Sequence, residues 1–593
     1  MKKHFIFSLI AVLSLSLLIS CGTPSDNNQS TESESGKETS DWENSGVIQS
    51  ESELEFELSA DKASYIVTGK GTCPDSDLVI PDTYGKKPVT AIKEGAFAGN
   101  TDITSIKIPD GVITIGANAF SFMPSLKSVT ISNSVTSIGE KAFFNSPALE
   151  SITLGNGISV IEKSTFEGCL KLESIAIPDS VTTIKASAFY GCSALKSITL
   201  GSAISKVEFS VFDNTALYLD NANWSDGQLY IGSVLVKVKD DTSGILNVKD
   251  GTTIIADHAA NMTDITKIVL PSSVKAIGSS SFAACAKLSD ITFNEGLETL
   301  GASAFASCDS IVTVNLPSTL TAMSENVFYH CSALESVVIP SKITVIPDHA
   351  FDECASLSNI TLPEGLKTIG TYGFSNCYSL ISLKLPDSLE EIKNSAFYKG
   401  YNLLSINLPK NLKVIEPYAF LYCHKLVDLV NDSSLNIELG KDSNGNAGQY
   451  AFEFRTGESK LDYVGDFVFY TYNNINYLLE YVGNDKDVVL PDNYKGQKYR
   501  VYKFALGFTS KIETVRISEG VSSINGNAFH TCNELREITL TTNITSIANS
   551  TFASCTKLQT VKYTGTEEEF AAISIAEKNN ATFINAEKIY NVA

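Results

Sequence analysis

The sequence predicts a repeat solenoid, built from 23-residue coils that each hold a short β-strand followed by a turn or short helix. Stacked strands would make a parallel sheet, with two β-hairpin-like inserts set into the array. Three observations predict this. Phenylalanine recurs in one phase at Phe97, Phe120, Phe143, Phe166, Phe189 and Phe212. It recurs again at Phe282, Phe305, Phe328, Phe351, Phe374, Phe397 and Phe420, and once more at Phe529 and Phe552. Around each stands the pattern L-x-x-I-x-[IL]-P-x-x-[LV]-x-x-I-x-x-x-[AST]-F-x-x-C, in about fifteen copies. The period fails over 214–262 and 431–499, where strand-like segments replace it.

Residues 1–20 read as an export signal. Lys2 and Lys3 give a charged start, and Phe5 to Ile19 form an apolar stretch too short to span a bilayer. Leu18-Ile19-Ser20-Cys21, followed by Gly22, resembles the lipobox of bacterial lipoproteins, which implies a lipid on Cys21. Plain secretion with cleavage nearby is the alternative. Residues 21–50, rich in Ser, Thr, Glu, Asp, Asn and Gly, lack hydrophobic periodicity and are expected to be a disordered tether. Residues 51–90 are expected to be an N-terminal cap.

Regular coils are expected over 91–213, 263–430 and 500–563. In the copy from Leu357 to Cys377, Ile360 and Leu362 alternate as the inward residues of a strand. Pro363 has no N–H to donate and ends the pairing. Ile369 to Cys377 has the spacing of a short helix or irregular turn on the opposite side. A single coil cannot bury its apolar face, so stability must come from its neighbours.

Ten of the twelve cysteines stand three residues after a landmark position: Cys169, Cys192, Cys285, Cys308, Cys331, Cys354, Cys377, Cys423, Cys532 and Cys555. Asn100, Met123 and Ser146 fill that slot elsewhere, so it reads as a small packing position holding free thiols. Stacked cysteines would project parallel Cβ vectors, poorly aimed for a disulfide torsion. Cys73 has no explanation in the repeat.

The first insert, 214–262, places Asp240 and Asp241 near a turn between apolar strands and reads as a hairpin, after which Ala260 occupies a degenerate landmark slot. The second, 431–499, is strand-like around an Asn473-Asn474 turn, and its end echoes the start of the first block. Its aromatic run of Phe467, Phe469, Tyr470, Tyr472, Tyr477 and Tyr481 suits a hairpin packed on the solenoid better than a platform for sugars or a partner. Trp42 and Trp224 lie outside the repeats, which also weakens a carbohydrate platform. Residues 564–593 drop the landmark and are expected to be the C-terminal cap.

A formal net charge of -22 disfavours nucleic acid and anionic membrane surfaces, and reads first as a solvated surface. No other stretch is apolar enough to cross a bilayer, so membrane attachment rests on the lipid alone. The histidines beyond His4 are His258, His330, His349, His424 and His530; none sits in a metal, nucleophile or phosphate-binding motif. Asp442, Asn444, Asn446 and Glu453 have calcium-loop spacing, but Ala447 replaces the glycine of the sharp turn, so an ordinary loop is the better reading. Glu390-Glu391 reads as a solvated pair. The expectation is a protein without catalytic residues, cofactor or metal.

The repeat resembles the BspA-type leucine-rich repeat, with its I-x-x-x-A-F-x-x-C signature, over residues 79–563. The asparagine of other leucine-rich repeats is missing: Gly365 stands in its place. The resemblance implies a leucine-rich-repeat array on a cell-surface or secreted protein linked to adhesion and host-protein binding. The expected partner is therefore a protein or glycan on host or neighbouring cells, met at the envelope surface; a scaffold without a ligand is the rival, and an enzyme housed in an insert the remote one. Residues flanking the inward strand positions would line the ligand-facing side: Ser128, Thr130, Ser151, Thr153, Asn359, Thr361, Ser382, Lys384, Ser405 and Asn407.

Overall fold

The computed structural model describes residues 53–508 and 511–592. Cys21, the signal and the tether expected over 21–50 lie outside the described residues. Each coil contributes to two parallel ladders where one was expected. In the representative coil, Asn359–Thr361 pairs in register with Ser336–Val338 of the coil before. Further along, Thr368–Ile369 pairs with Val345–Ile346 behind and Glu391–Ile392 ahead. The second strand is only two residues long, too short for alternation to reveal it in sequence.

The far side of the coil is a run of overlapping turns. Tyr372 and Asn376 both take φ of +55°, and Phe374 lies between them. The N–H groups of Tyr372, Phe374 and Asn376 donate forward to Asn394, Ala396 and Tyr398 at 3.1, 2.8 and 2.8 Å. Those of Gly373 and Ser375 close turns onto Gly370 and Tyr372 at 3.0 and 3.2 Å. Backbone donors are thus spent alternately between coils and within the coil, which satisfies groups that burial would otherwise orphan. Left-handed φ at a non-glycine residue costs energy, and the bonds to the next coil hold it in place.

Phe374 and its counterparts stack into a ladder. Phe189 and Phe212 lie 5.8 Å apart at 1°, and Phe397 and Phe420 5.1 Å apart at 4°. These rings are essentially without solvent exposure, and removing one would cost about 3–5 kcal/mol. The cysteines serve the same ladder. Cys354 Sγ donates to the Phe328 carbonyl and Cys377 Sγ to that of Phe351, each at 3.2 Å. Ser146 does the same with its hydroxyl to Phe120 at 2.9 Å. Where the slot holds cysteine or serine, the side chain is therefore also a donor, which size alone did not explain. Burial pushes the thiols of Cys192, Cys331 and Cys423 up to about 12, keeping them protonated as donors. All described cysteines are buried, Cys73 among them in the first core.

The core is divided. One cluster runs from Leu54 to Ala256, a second from Leu235 to Ala447 and a third from Phe469 to Phe583. The first division is the hairpin Gln228–Ile231 with Val234–Val238. Its tight turn is at Gly232, φ +57°, while the turn expected near Asp240-Asp241 is also present, closed by Thr242 N–H on Lys239 O at 3.0 Å, but joins strands of two different sheets. Those aspartates mark a corner leading to Ser243–Asn247, which joins another sheet beside Asp264–Val269. Val234 and Val236 face the first core while Leu235 and Val238 face the second. The hairpin also fills a place in the stack: Val234-Leu235 pairs in parallel with Ile254-Ile255.

The second hairpin, Phe467–Tyr472 with Ile475–Tyr481, turns at Asn473 and Asn474, φ +49° and +60°, the geometry of a type I′ turn. Its second strand pairs in parallel with Tyr499–Val501 and so starts the third run of coils. At the C-terminal end the landmark is retained, contrary to expectation. Phe583, on the short helix Ala581–Asn585, stacks on Phe552 at 4.6 Å and 8°. The helix shifts its spacing away from the period, which hid it in sequence.

Candidate functional site

The outward positions of the first ladder form rows across neighbouring coils. Ser128 is in register with Ser105 and Ser151, and Thr130 with Lys107 and Thr153. In the second block Asn359 is opposite Ser336 and Thr361 opposite Val338. Thr130, Ser151, Thr153, Asn359, Thr361, Ser382 and Lys384 are exposed, and Ser128 is half-buried. Parallel register places side chains of like phase side by side at the strand spacing, about 4.8 Å. The rows are chiefly hydroxyls and amides, with Val338 53% exposed among them.

Two expected members do not belong to this surface. Ser405 is 5% exposed, and its hydroxyl donates to the buried Asp428 at 3.0 Å. Asp428 also accepts the Ser459 hydroxyl and, at 3.2 Å, the Lys460 N–H. Ser405 thus anchors the second insert where a ligand was expected. Asn407 is half-buried, and its amide accepts from Leu385 N–H at 2.7 Å and donates to Leu385 O at 3.0 Å. It completes the ladder where the neighbouring strand, Ser382–Leu383, is short.

Beside Ser405, the second hairpin covers the preceding position of the coils. Val468, Tyr470 and Leu479 pack on Leu404 and Val427, with Ile381 and Phe452 at the margin. Most coils place a polar residue at this position, as at Lys127, Glu150, Glu335 and Ser358, so Ile381, Leu404 and Val427 mark the docking site in the sequence. The aromatic run is packing, as expected: Phe469 and Tyr470 are fully buried. Beside them Lys425 is ion-paired with Glu480, the two at 0% and 4% side-chain exposure. Burial lowers the lysine and raises the glutamate, so both are pushed toward their neutral forms.

Charged side chains elsewhere link adjacent coils. Glu390 accepts from Lys367 at 2.7 Å and Lys413 at 2.5 Å, and these two ammonium groups hold its carboxyl down at about 2. Such exposed pairs fix coil register more than they add stability. Glu391 is paired as well, with Lys393 at 3.1 Å. His330 lies between Asp309 at 3.2 Å and Glu353 at 3.6 Å. His349 contacts Asp352 at 2.9 Å, and the ring of His258 lies 5.4 Å from that of Phe209, tilted at 60°. Among the described residues no cluster of His, Cys, Asp or Glu has metal-binding geometry. In the loop with calcium-like spacing, Asn444 donates to Asn436 O at 2.7 Å and Glu453 accepts from Lys460 at 2.5 Å and Tyr470 at 3.2 Å. No described helix is long and apolar enough to cross a membrane.

The family model for the BspA type leucine rich repeat region (6 copies) matches residues 90–218, 252–355, 324–453 and 456–580. No curated protein matches the chain. Among solved structures, a leucine-rich repeat protein from Bacteroides ovatus is 22% identical, covering 70% of this chain and 100% of that one, with a TM-score of 0.25. A leucine rich cell surface protein from Faecalibacterium prausnitzii is 21% identical, covering 90% and 98%, with a TM-score of 0.26. A leucine-rich repeat protein from Eubacterium ventriosum is 20% identical, covering 67% and 97%, with a TM-score of 0.29.

Proposed function

The chain belongs to the BspA-type leucine-rich repeat family, and from that premise we propose that it is a surface-displayed binding protein. It is held at the cell envelope through a lipid on Cys21, and it meets protein or glycan partners of host or neighbouring cells with the outward strand rows. The observation that carries this reading is that Thr130, Thr153, Asn359 and Thr361 are exposed and in register with neighbouring strands, and among the described residues no side-chain bond to the coils is seen for them. The polar side chains at Ser405 and Asn407, by contrast, are committed to the fold. A flat row of small hydroxyls and amides can take up many partner shapes at little entropic cost, since short side chains lose little rotamer freedom on contact. The hairpin of the second insert, which covers part of the face, acts as a boundary for it.

The test is binding of the labelled full chain to host matrix and mucosal extracts, compared with a Thr153→Trp/Thr361→Trp variant. Saturable binding that the two indoles weaken about tenfold or more supports the strand rows. Non-saturable retention, equal in both proteins, would leave the chain an envelope scaffold with no dedicated ligand.

A further inference from the structure

A second surface departs from the coil pattern. The position after the cysteine slot holds Leu170, Ser193, Ala286, Asp309, Ser332 and Ala355 in other coils, but Tyr378, Tyr401 and His424 at the end of the second block. Tyr378 and Tyr401 lie parallel, 5.5 Å apart at 7°. Phe508, from the third block, lies parallel on Tyr401 at 4.9 Å and 8°. With Ser379, Asn402, Thr531 and Asn533 these rings wall a cleft of about 400 Å³. Core filling does not explain the rings, because the phenylalanine ladder already fills the core and Tyr378 keeps 37% of its surface exposed. The previous rung is Ala355, so no ring of that series covers the other face of Tyr378.

Asn402 gives a second, independent pointer. Its Oδ1 is shielded from solvent and has no hydrogen-bond partner among the described residues. Asn402 lines the cleft, and rotation of its side chain toward it would bring that oxygen within reach of a ligand hydroxyl. Lys425, at the same coil position one coil later, is occupied by Glu480. Among the described residues Gln449 Oε1 is the other unmet buried amide oxygen, and Asn402 is the one of the two that lines this cleft.

We propose that this cleft is a saccharide subsite, taking roughly one or two pyranose rings of a neutral glycan. A pyranose presents a C–H face whose weakly positive hydrogens suit the negative face of an aromatic ring. Its rim of hydroxyls donates and accepts at once, as amide and hydroxyl side chains do. A purely apolar ligand would leave Asn402 unmet, and the charge of -22 disfavours an anionic sugar. The cleft is separate from the strand rows, so the two readings fail independently.

The test is calorimetric titration of the full chain with neutral hexasaccharides of the cello, manno, xylo and N-acetylchito series. Saturable binding of at least one probe is expected, weakened about tenfold by Tyr378→Ala or Asn402→Ala. Tyr378→Phe keeps the ring and should recover most of the loss, while Met262→Ala, 74% exposed and outside both surfaces, should leave saccharide affinity unchanged. Phe508→Leu attacks the opposite wall and serves where an alanine variant does not fold. Absence of binding by every probe, or equal binding by the wild-type and cleft variants, would overturn the proposal even if extract binding remained sensitive to Thr361→Trp.

Discussion

At the residue scale, the same coil position changes its work along the array. His424 continues the row of Tyr378 and Tyr401, but it lies within an aromatic shell of Tyr401, Tyr422, Tyr450 and Phe504. Burial, with Lys503 and His530 nearby, pulls its pKa down to about 4. The unfolded chain would protonate this imidazole near 6.5, whereas the folded chain resists until about pH 4. The stability it contributes is therefore full above about pH 6.5 and is lost as pH falls through 4. Replacing His424→Phe should raise the melting temperature relative to the wild type more at pH 4.5 than at pH 7.5. An equal change at both pH values would show that His424 does not carry this acid sensitivity. The cysteines make a related point. Their spacing was legible and the expectation of free thiols followed from it, but their donation to the phenylalanine carbonyls depends on the neighbouring coil.

At the element scale, the second hairpin is a clamp as well as the beginning of the third block. It contributes Glu480 to the buried pair with Lys425 and the apolar side chains that cover Leu404 and Val427. Removing one member of such a pair leaves a charge stranded in the interior, so Glu480→Leu alone should cost about 3–5 kcal/mol. The double variant Lys425→Met/Glu480→Leu should recover most of that loss, because the interface is otherwise apolar. Denaturant midpoints of the single and double variants decide this; a double variant no better than the single would mean that the pair itself holds the clamp. The Asn473-Asn474 turn was legible because that dipeptide favours left-handed φ, whereas the turn at Gly232 was missed because Asp240-Asp241 offered a stronger turn signal at what proves to be a corner between sheets. The burial of Ser405 is tertiary, and alternation along its own strand gives no sign of it. Aligning the coils would have shown the hairpin's docking site beside it through Ile381, Leu404 and Val427.

At the scale of the described body, a repetitive core carries a varied surface. Phenylalanine, cysteine and inward leucine and isoleucine make each coil interchangeable with the next, and this regularity is what let the solenoid be read from sequence. The proposed binding surfaces belong to positions that the core leaves free: the outward strand rows and the cleft around Tyr378 and Asn402. Two hairpins divide the core into three clusters while keeping the stack going. The left-handed residues flanking each phenylalanine were not legible, since Lys141, Ser187, His349 and Tyr372 all take that conformation and share no residue type. The central claim, that the outward rows are the binding face, is tested most directly by hydroxyl-radical footprinting of the full chain, free and saturated with the host material it retains. The account predicts that oxidation of Val338 and Lys384 falls on binding while that of Met262, 74% exposed and outside the rows, does not change. Protection confined to other surfaces, with Val338 and Lys384 oxidised as in the free chain, would contradict it.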